Sequence, residues 1–138
     1  MGTLRLFFAL AILSGIQLHG QDEDRVLPWT PERRLTWADY AGKPLKTEWA
    51  AATTASGITY TLNSVVGGSA PRLQIVVTSL FYPDKSWYKP DLCDDVVLSH
   101  EQLHFDITEL FARKFRKRLE TVRNDKNIKK KVRAIFVE

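Results

Sequence analysis

Apolar and polar positions alternate through Ile58, Thr59, Tyr60, Thr61 and Leu62, inside a stretch from Ala51 to Val66 that is rich in Thr, Val, Ile and Tyr. A period of two sets Ile58, Tyr60 and Leu62 on one face, which is the pattern of a half-buried strand. A second run extends from Leu73 to Tyr82. There Leu73, Ile75, Val77 and Ser79 face one way and Gln74, Val76, Thr78 and Leu80 the other. Its apolar middle predicts burial on both faces. Gly67-Gly68-Ser69-Ala70-Pro71 is a turn between the two runs, so the simplest pairing is an antiparallel hairpin. Upstream, Leu27 to Pro31 and Ala41 to Pro44 read as turns, and Trp29, Trp37 and Tyr40 as core anchors.

From about Asp94 the period lengthens to 3.6 residues, with Asp91 or Asp94 as the natural N-cap. This helix is expected to run to about Asn124, where Asn124-Asp125 stops it. Val132, Ala134 and Phe136 begin a further strand or helix. With His100 set at 0°, Val97, His104, Ile107, Phe111, Phe115 and Val122 fall within about 60° of it. That predicts both histidines in the middle of an apolar stripe packed on the sheet, with Asp106 and Glu109 turned away. The expected fold class is therefore α+β, an antiparallel sheet packed on one long helix.

The N-terminus has a separate logic. Arg5 precedes the unbroken apolar run Leu6 to Leu13, and Ser14, Gly15 and Gly20 are small. This reads as a secretory signal peptide over 1–20, cleaved after Gly20, since the run is shorter than the roughly 20 apolar residues of a membrane span. A lead-in segment, 21–34, would follow, and then one domain, 35–138. Such a protein is expected to be secreted or periplasmic, without stable membrane insertion after signal cleavage. The single cysteine, Cys93, cannot form an internal disulfide, so the fold must rest on packing, helped or not by a metal.

Removing Arg5 with the signal leaves 19 basic against 16 acidic residues. The surplus is concentrated, because Arg113 to Arg133 holds 11 basic and 2 acidic side chains. This run reads as the solvated face and end of a long helix, and nucleic acid is not an expected partner.

The chemistry lies in His100-Glu101-Gln102-Leu103-His104, an H-E-x-x-H sequence. On a helix the two histidines stand about 40° apart, one turn along the axis, where both imidazoles can grip one Zn²⁺ at about 2.0–2.1 Å. Glu101 lies beside them, placed to take a proton from a zinc-bound water as it attacks a carbonyl. His100 and His104 are the only histidines left once His19 departs with the signal. A catalytic zinc needs a third protein ligand. Asp106, Glu109 and Glu120 face the wrong way on a continuous helix, which leaves Asp84, Asp94, Asp125 and Glu138 as candidates. Asp106 is expected to fix the helix or support a ligand from behind, and Glu109 with Arg113 is an ordinary i, i+4 pair.

His100-Glu-Gln-Leu-His-Phe-Asp-Ile-Thr-Glu-Leu-Phe-Ala-Arg113 resembles the bacterial family grouped as domain of unknown function 922, described as predicted secreted zinc-dependent proteases. Leu35-Thr-Trp-Ala-Asp-Tyr40 with Gly42-Lys-Pro, Thr53-Thr-Ala-Ser-Gly-Ile58 and Ser86-Trp87 also look like that family. The resemblance covers roughly Leu35 to Arg118. It implies a zincin-like arrangement, with metal ligation by His100 and His104, a general-base role for Glu101, Zn²⁺ as cofactor and a peptide or protein as substrate. The family's pattern continues past this helix, so a chain ending at Val137-Glu138 would be C-terminally short. By analogy with other zinc peptidases, an edge strand such as Leu73 to Tyr82 would pair with an extended substrate. The expected function is a secreted zinc metallopeptidase. Its rivals are a non-catalytic, metal-stabilised binding module or pseudoenzyme, and a helix that binds anionic polymers through Arg116, Lys117 and Arg118.

Overall fold

The computed structural model describes residues 25–65 and 72–137. The expected signal peptide, the turn at 67–71 and Glu138 lie outside the described residues. Strand β1 is Leu27–Pro28, β2 is Ala52–Thr53, β3 is Ser56–Val65, β4 is Arg72–Phe81 and β5 is Trp87–Tyr88. Helix α1 is Asp95–Glu120 and α2 is Ile128–Val137. The protein is α+β, with antiparallel strands in two small sheets and α1 packed on them.

The hairpin forms as the alternation predicts. β3 and β4 pair antiparallel from Ser56↔Phe81 to Val65↔Arg72, which sets Ile58 opposite Ser79, Tyr60 opposite Val77 and Leu62 opposite Ile75. These residues face α1. Burial on both faces does not occur: Val77, Ser79 and Phe81 are buried, whereas Gln74 and Val76 on the other face are exposed. The sheet is a single layer with one covered side, so the apolar middle of β4 overstates its burial.

β4 is also not an edge strand. The order is β1-β4-β3, with Leu27↔Phe81 and Pro28↔Leu80 pairing along the other side of β4. Trp29 N continues that ladder by donating to Ser79 O at 3.0 Å. The substrate-pairing role expected of this strand therefore loses its footing over the covered end.

The second sheet pairs Ala52↔Tyr88 and Thr53↔Trp87. Beside it, Leu35, Tyr40, Phe81 and Phe105 form one buried cluster, and Trp37 stacks on Tyr88 with ring centroids 4.5 Å apart. A second cluster joins Val77, Ala112, Phe115, Leu119 and Val132, so α2 closes the far end of the core. The turn after Tyr40 fits only glycine. A Cβ on Gly42 would stand 2.8 Å from Ser86 O and 2.9 Å from Asp84 O, and Gly42 N donates to Ser86 O at 2.8 Å. Gly42→Ala is expected to cost about 1–3 kcal/mol by overpacking against backbone, read as a lower urea midpoint at unchanged slope.

Helix α1 starts where the cap predicts, with the Asp94 carboxylate accepting from Val96 N at 3.0 Å and Val97 N at 2.9 Å. Its buried face differs from the expected one. Glu101, Gln102, Phe105, Glu109, Ala112, Phe115 and Leu119 are buried. Leu103, Ile107, Leu110 and Phe111 are 49–56 % exposed, and both histidines are exposed with them. The helix is thus turned by roughly 100° from the face that hydrophobicity alone selects.

The reason is polar. Glu109, expected to point to solvent, is held by three partners: Ser79 Oγ donates to its Oε2 at 2.6 Å, and Arg113 Nε and Arg116 Nη1 donate to its Oε1 at 2.9 Å. Gln102 Oε1 accepts from Leu35 N at 2.8 Å, and its amide donates to Asp106 at 2.8 Å. Burying these groups is tolerable because each finds its partner. No helix among the described residues is long and apolar enough to cross a membrane.

Candidate metal centre

His100 and His104 sit on the second and third turns of α1, one above the other. Their Nε2 atoms are 3.2 Å apart, and the rings stand perpendicular with centroids 4.8 Å apart. Two nitrogens on a tetrahedral Zn²⁺, each at about 2.0–2.1 Å, are about 3.3 Å from each other. The pair is therefore already spaced as a bidentate clamp. The same spacing serves an imidazole–imidazole hydrogen bond, and the metal reading draws its weight from the carboxylate that stands beside the pair. The ligand atoms of His100, Glu101 and His104 all lie within 4.8 Å of one another.

The three differ in surroundings. The imidazoles are open to solvent, as a site that must admit a further ligand requires. Glu101 is 6 % exposed and is fixed from the sheet side. Thr54, in the short link between β2 and β3, donates from Oγ1 to Glu101 Oε2 at 2.6 Å. Tyr40 OH lies 2.8 Å from the same Thr54 oxygen. A threonine hydroxyl has one proton, and a carboxylate only accepts, so the phenol donates to Thr54 and Thr54 to Glu101. Tyr40 is suited to that direction. Burial raises its pKa from 10.0 to about 12, the hydrogen bond with Thr54 offsetting part of the rise and the Glu101 charge adding to it. The phenol accordingly keeps its proton across the whole neutral range.

The remaining acids named as third ligands are elsewhere. Asp94 caps α1, Asp125 pairs with Lys131, and Asp84 lies in the 3-10 turn Pro83–Lys85 outside the cluster. Glu138 is outside the described residues. Asp106 does fix the helix: its Oδ1 accepts from Trp29 Nε1 and from Gln102 Nε2, both at 2.8 Å, and Arg34 contacts its Oδ2 at 3.3 Å. Arg113 also lies over the Trp29 ring, 5.2 Å from its centroid. The segment expected as a lead-in is thereby pinned along α1, from Asp106, within one turn of His104, to Arg113.

Thr54 and the polar role of Tyr40 escape a reading of the sequence. Tyr40 lies 61 positions before Glu101 and Thr54 lies 47 before it, and no local spacing links them. Comparison with protein-family models, with curated proteins and with solved structures finds no match for this chain.

Proposed function

We propose that the protein is an exported, zinc-dependent metallopeptidase of zincin-like character, related to the domain of unknown function 922 family. The reading rests on one observation: two imidazole nitrogens at metal-clamp spacing beside a buried carboxylate held on one oxygen only by Thr54. Export rests on the signal-peptide pattern of residues 1–20.

In this reading His100 and His104, both exposed, would hold the ion. When bound, zinc polarises water and the scissile carbonyl and lowers the water's pKa towards about 7. Glu101 takes the proton from the attacking water and returns it to the leaving amine nitrogen. Thr54 donates to one oxygen of that carboxylate and leaves the other to take up the proton.

Zinc stoichiometry tests the clamp. Wild type should bind one equivalent, and His100→Ala and His104→Ala should each weaken binding by more than the roughly 10–100-fold that loss of an outer hydrogen-bond partner costs. Unchanged zinc binding in both variants would remove the site.

A second reading has its own observation. A catalytic zinc takes three protein ligands, and among the described residues Glu101 alone joins the histidines. If Glu101 is itself the third ligand, the protein is a metal-stabilised binding module. Chelation would then lower the melting temperature substantially, because metal-binding energy becomes folding energy, and no peptide would be cut.

A further inference from the structure

The outward face of α1 carries two unmet needs on one stretch of helix. Val96, Leu103, Ile107 and Phe111 are 49–75 % exposed, and all fall within about 60° of His100 around the helix axis. An apolar stripe about four turns long, left in water, marks a surface that pairs with something. The second need is coordinative. Tetrahedral Zn²⁺ takes four donors. His100 and His104 present two, with Nε2 atoms 3.2 Å apart and both rings open to solvent. Glu101 is the one further carboxylate, imidazole or thiol grouped with them among the described residues. Even with Glu101 bound, the ion is short of four protein donors.

We propose that a second copy of this chain covers the stripe, with one Zn²⁺ held between two His100–His104 pairs. This goes beyond the metallopeptidase reading, since it needs the imidazole clamp and not hydrolysis. The patch lacks two nitrogen donors and an apolar cover, and the patch itself carries both. A two-fold axis through the ion lays the same surface on itself, so each copy supplies what the other lacks. Four imidazoles then fill the tetrahedral sphere without calling on Glu101, which is buried and bonded to Thr54. Charge agrees with an antiparallel pairing. Asp91, Asp94 and Asp95 stand exposed at and just before the start of α1, and Lys114 and Lys117 stand exposed on its later turns. Antiparallel copies bring the acidic start of each helix towards the basic half of the other. A pair closed in this way leaves no open position on the ion, so hydrolysis would belong to the unpaired chain.

Sedimentation velocity of the metal-free protein, titrated with Zn²⁺ alone, reads the pairing directly. The mass should double as zinc reaches one ion for two chains. It should return to that of a single chain on chelation, and also when excess zinc gives each chain its own ion. His100→Ala should stay single at every ratio. Leu103→Asp keeps both imidazoles and changes a side chain that is 56 % exposed, so its circular dichroism should match wild type. Its pairing should weaken about tenfold or more, as expected for losing the burial of one leucine. A wild type that binds one zinc per chain and stays single below saturation overturns the pairing and leaves the metallopeptidase reading standing. Pairing that needs no zinc, or that is undiminished in Leu103→Asp, places the contact elsewhere and also overturns it. A wild type that takes up no zinc overturns both.

Discussion

Glu101→Gln should retain one zinc and lose about 10²–10⁴-fold in turnover, the usual contribution of a positioned general base. The substitution is close to isosteric, and the amide oxygen can still accept from Thr54, whose Oγ1 is 2.6 Å from Glu101 Oε2 in the wild type. The clamp should survive too, since the Nε2–Nε2 separation of 3.2 Å is set by α1 and not by Glu101. What disappears is the ability to take up a proton. Zinc measured on the purified variant alongside peptide hydrolysis gives a clean division. Zinc kept with hydrolysis lost supports the base. Zinc lost with the fold intact makes Glu101 a ligand. Hydrolysis kept removes Glu101 from the chemistry.

Glu109→Ala should be the most damaging single change to stability, at about 3 kcal/mol. It leaves the buried Ser79 hydroxyl without its acceptor and strips Arg116 and Arg113 of their carboxylate. Breaking a buried pair costs about 3–5 kcal/mol, and the partial exposure of both arginines argues for the low end. The same contacts make stability depend on pH. Burial pushes the Glu109 pKa up, but hydrogen bonds from Arg116, Ser79 and Arg113 overcome it, and the net value falls from 4.5 to about 2.

The sign follows from proton uptake. Between pH 4.5 and about 2 the unfolded chain binds a proton that the folded one refuses, so stability falls as pH drops through this window. Above 4.5 the contribution is complete. Urea midpoints at pH 7 and pH 3 should therefore differ more for wild type than for Glu109→Ala. Equal pH slopes would mean that Glu109 is not the group responsible.

What the sequence reveals and what it hides divide by range. The β3–β4 hairpin and α1 are legible because their signals are local: alternation in Ile58–Leu62, an Asp94 cap, and a change to helical period. β2 and β5 are two residues each, too short to carry any period, and they exist because the segments beside them pack around Tyr40 and Trp37. The buried face of α1 differs from the apolar stripe for a related reason. Counting apolar residues favours Ile107 and Phe111, but Ser79 and the Leu35 backbone supply partners for Glu109 and Gln102. Those partners lie 30 and 67 positions away in the chain. At the site, the H-E-x-x-H spacing gives the clamp, because one helical turn is a local property. Thr54 and Tyr40 reach Glu101 only through the folded chain.

Arg116 does more than neutralise Glu109. Its Nε and Nη2 both donate to Val77 O, at 3.1 and 2.9 Å, on the side of β4 that the short β1 leaves behind. An uncovered strand margin invites another chain to add itself there. The guanidinium plugs one rung of that ladder, and Glu109 holds the plug in place. Strong acid should consequently open a sticky seam as well as loosen the fold, and fibril growth with thioflavin fluorescence should rise near pH 2, earlier still in Arg116→Ala.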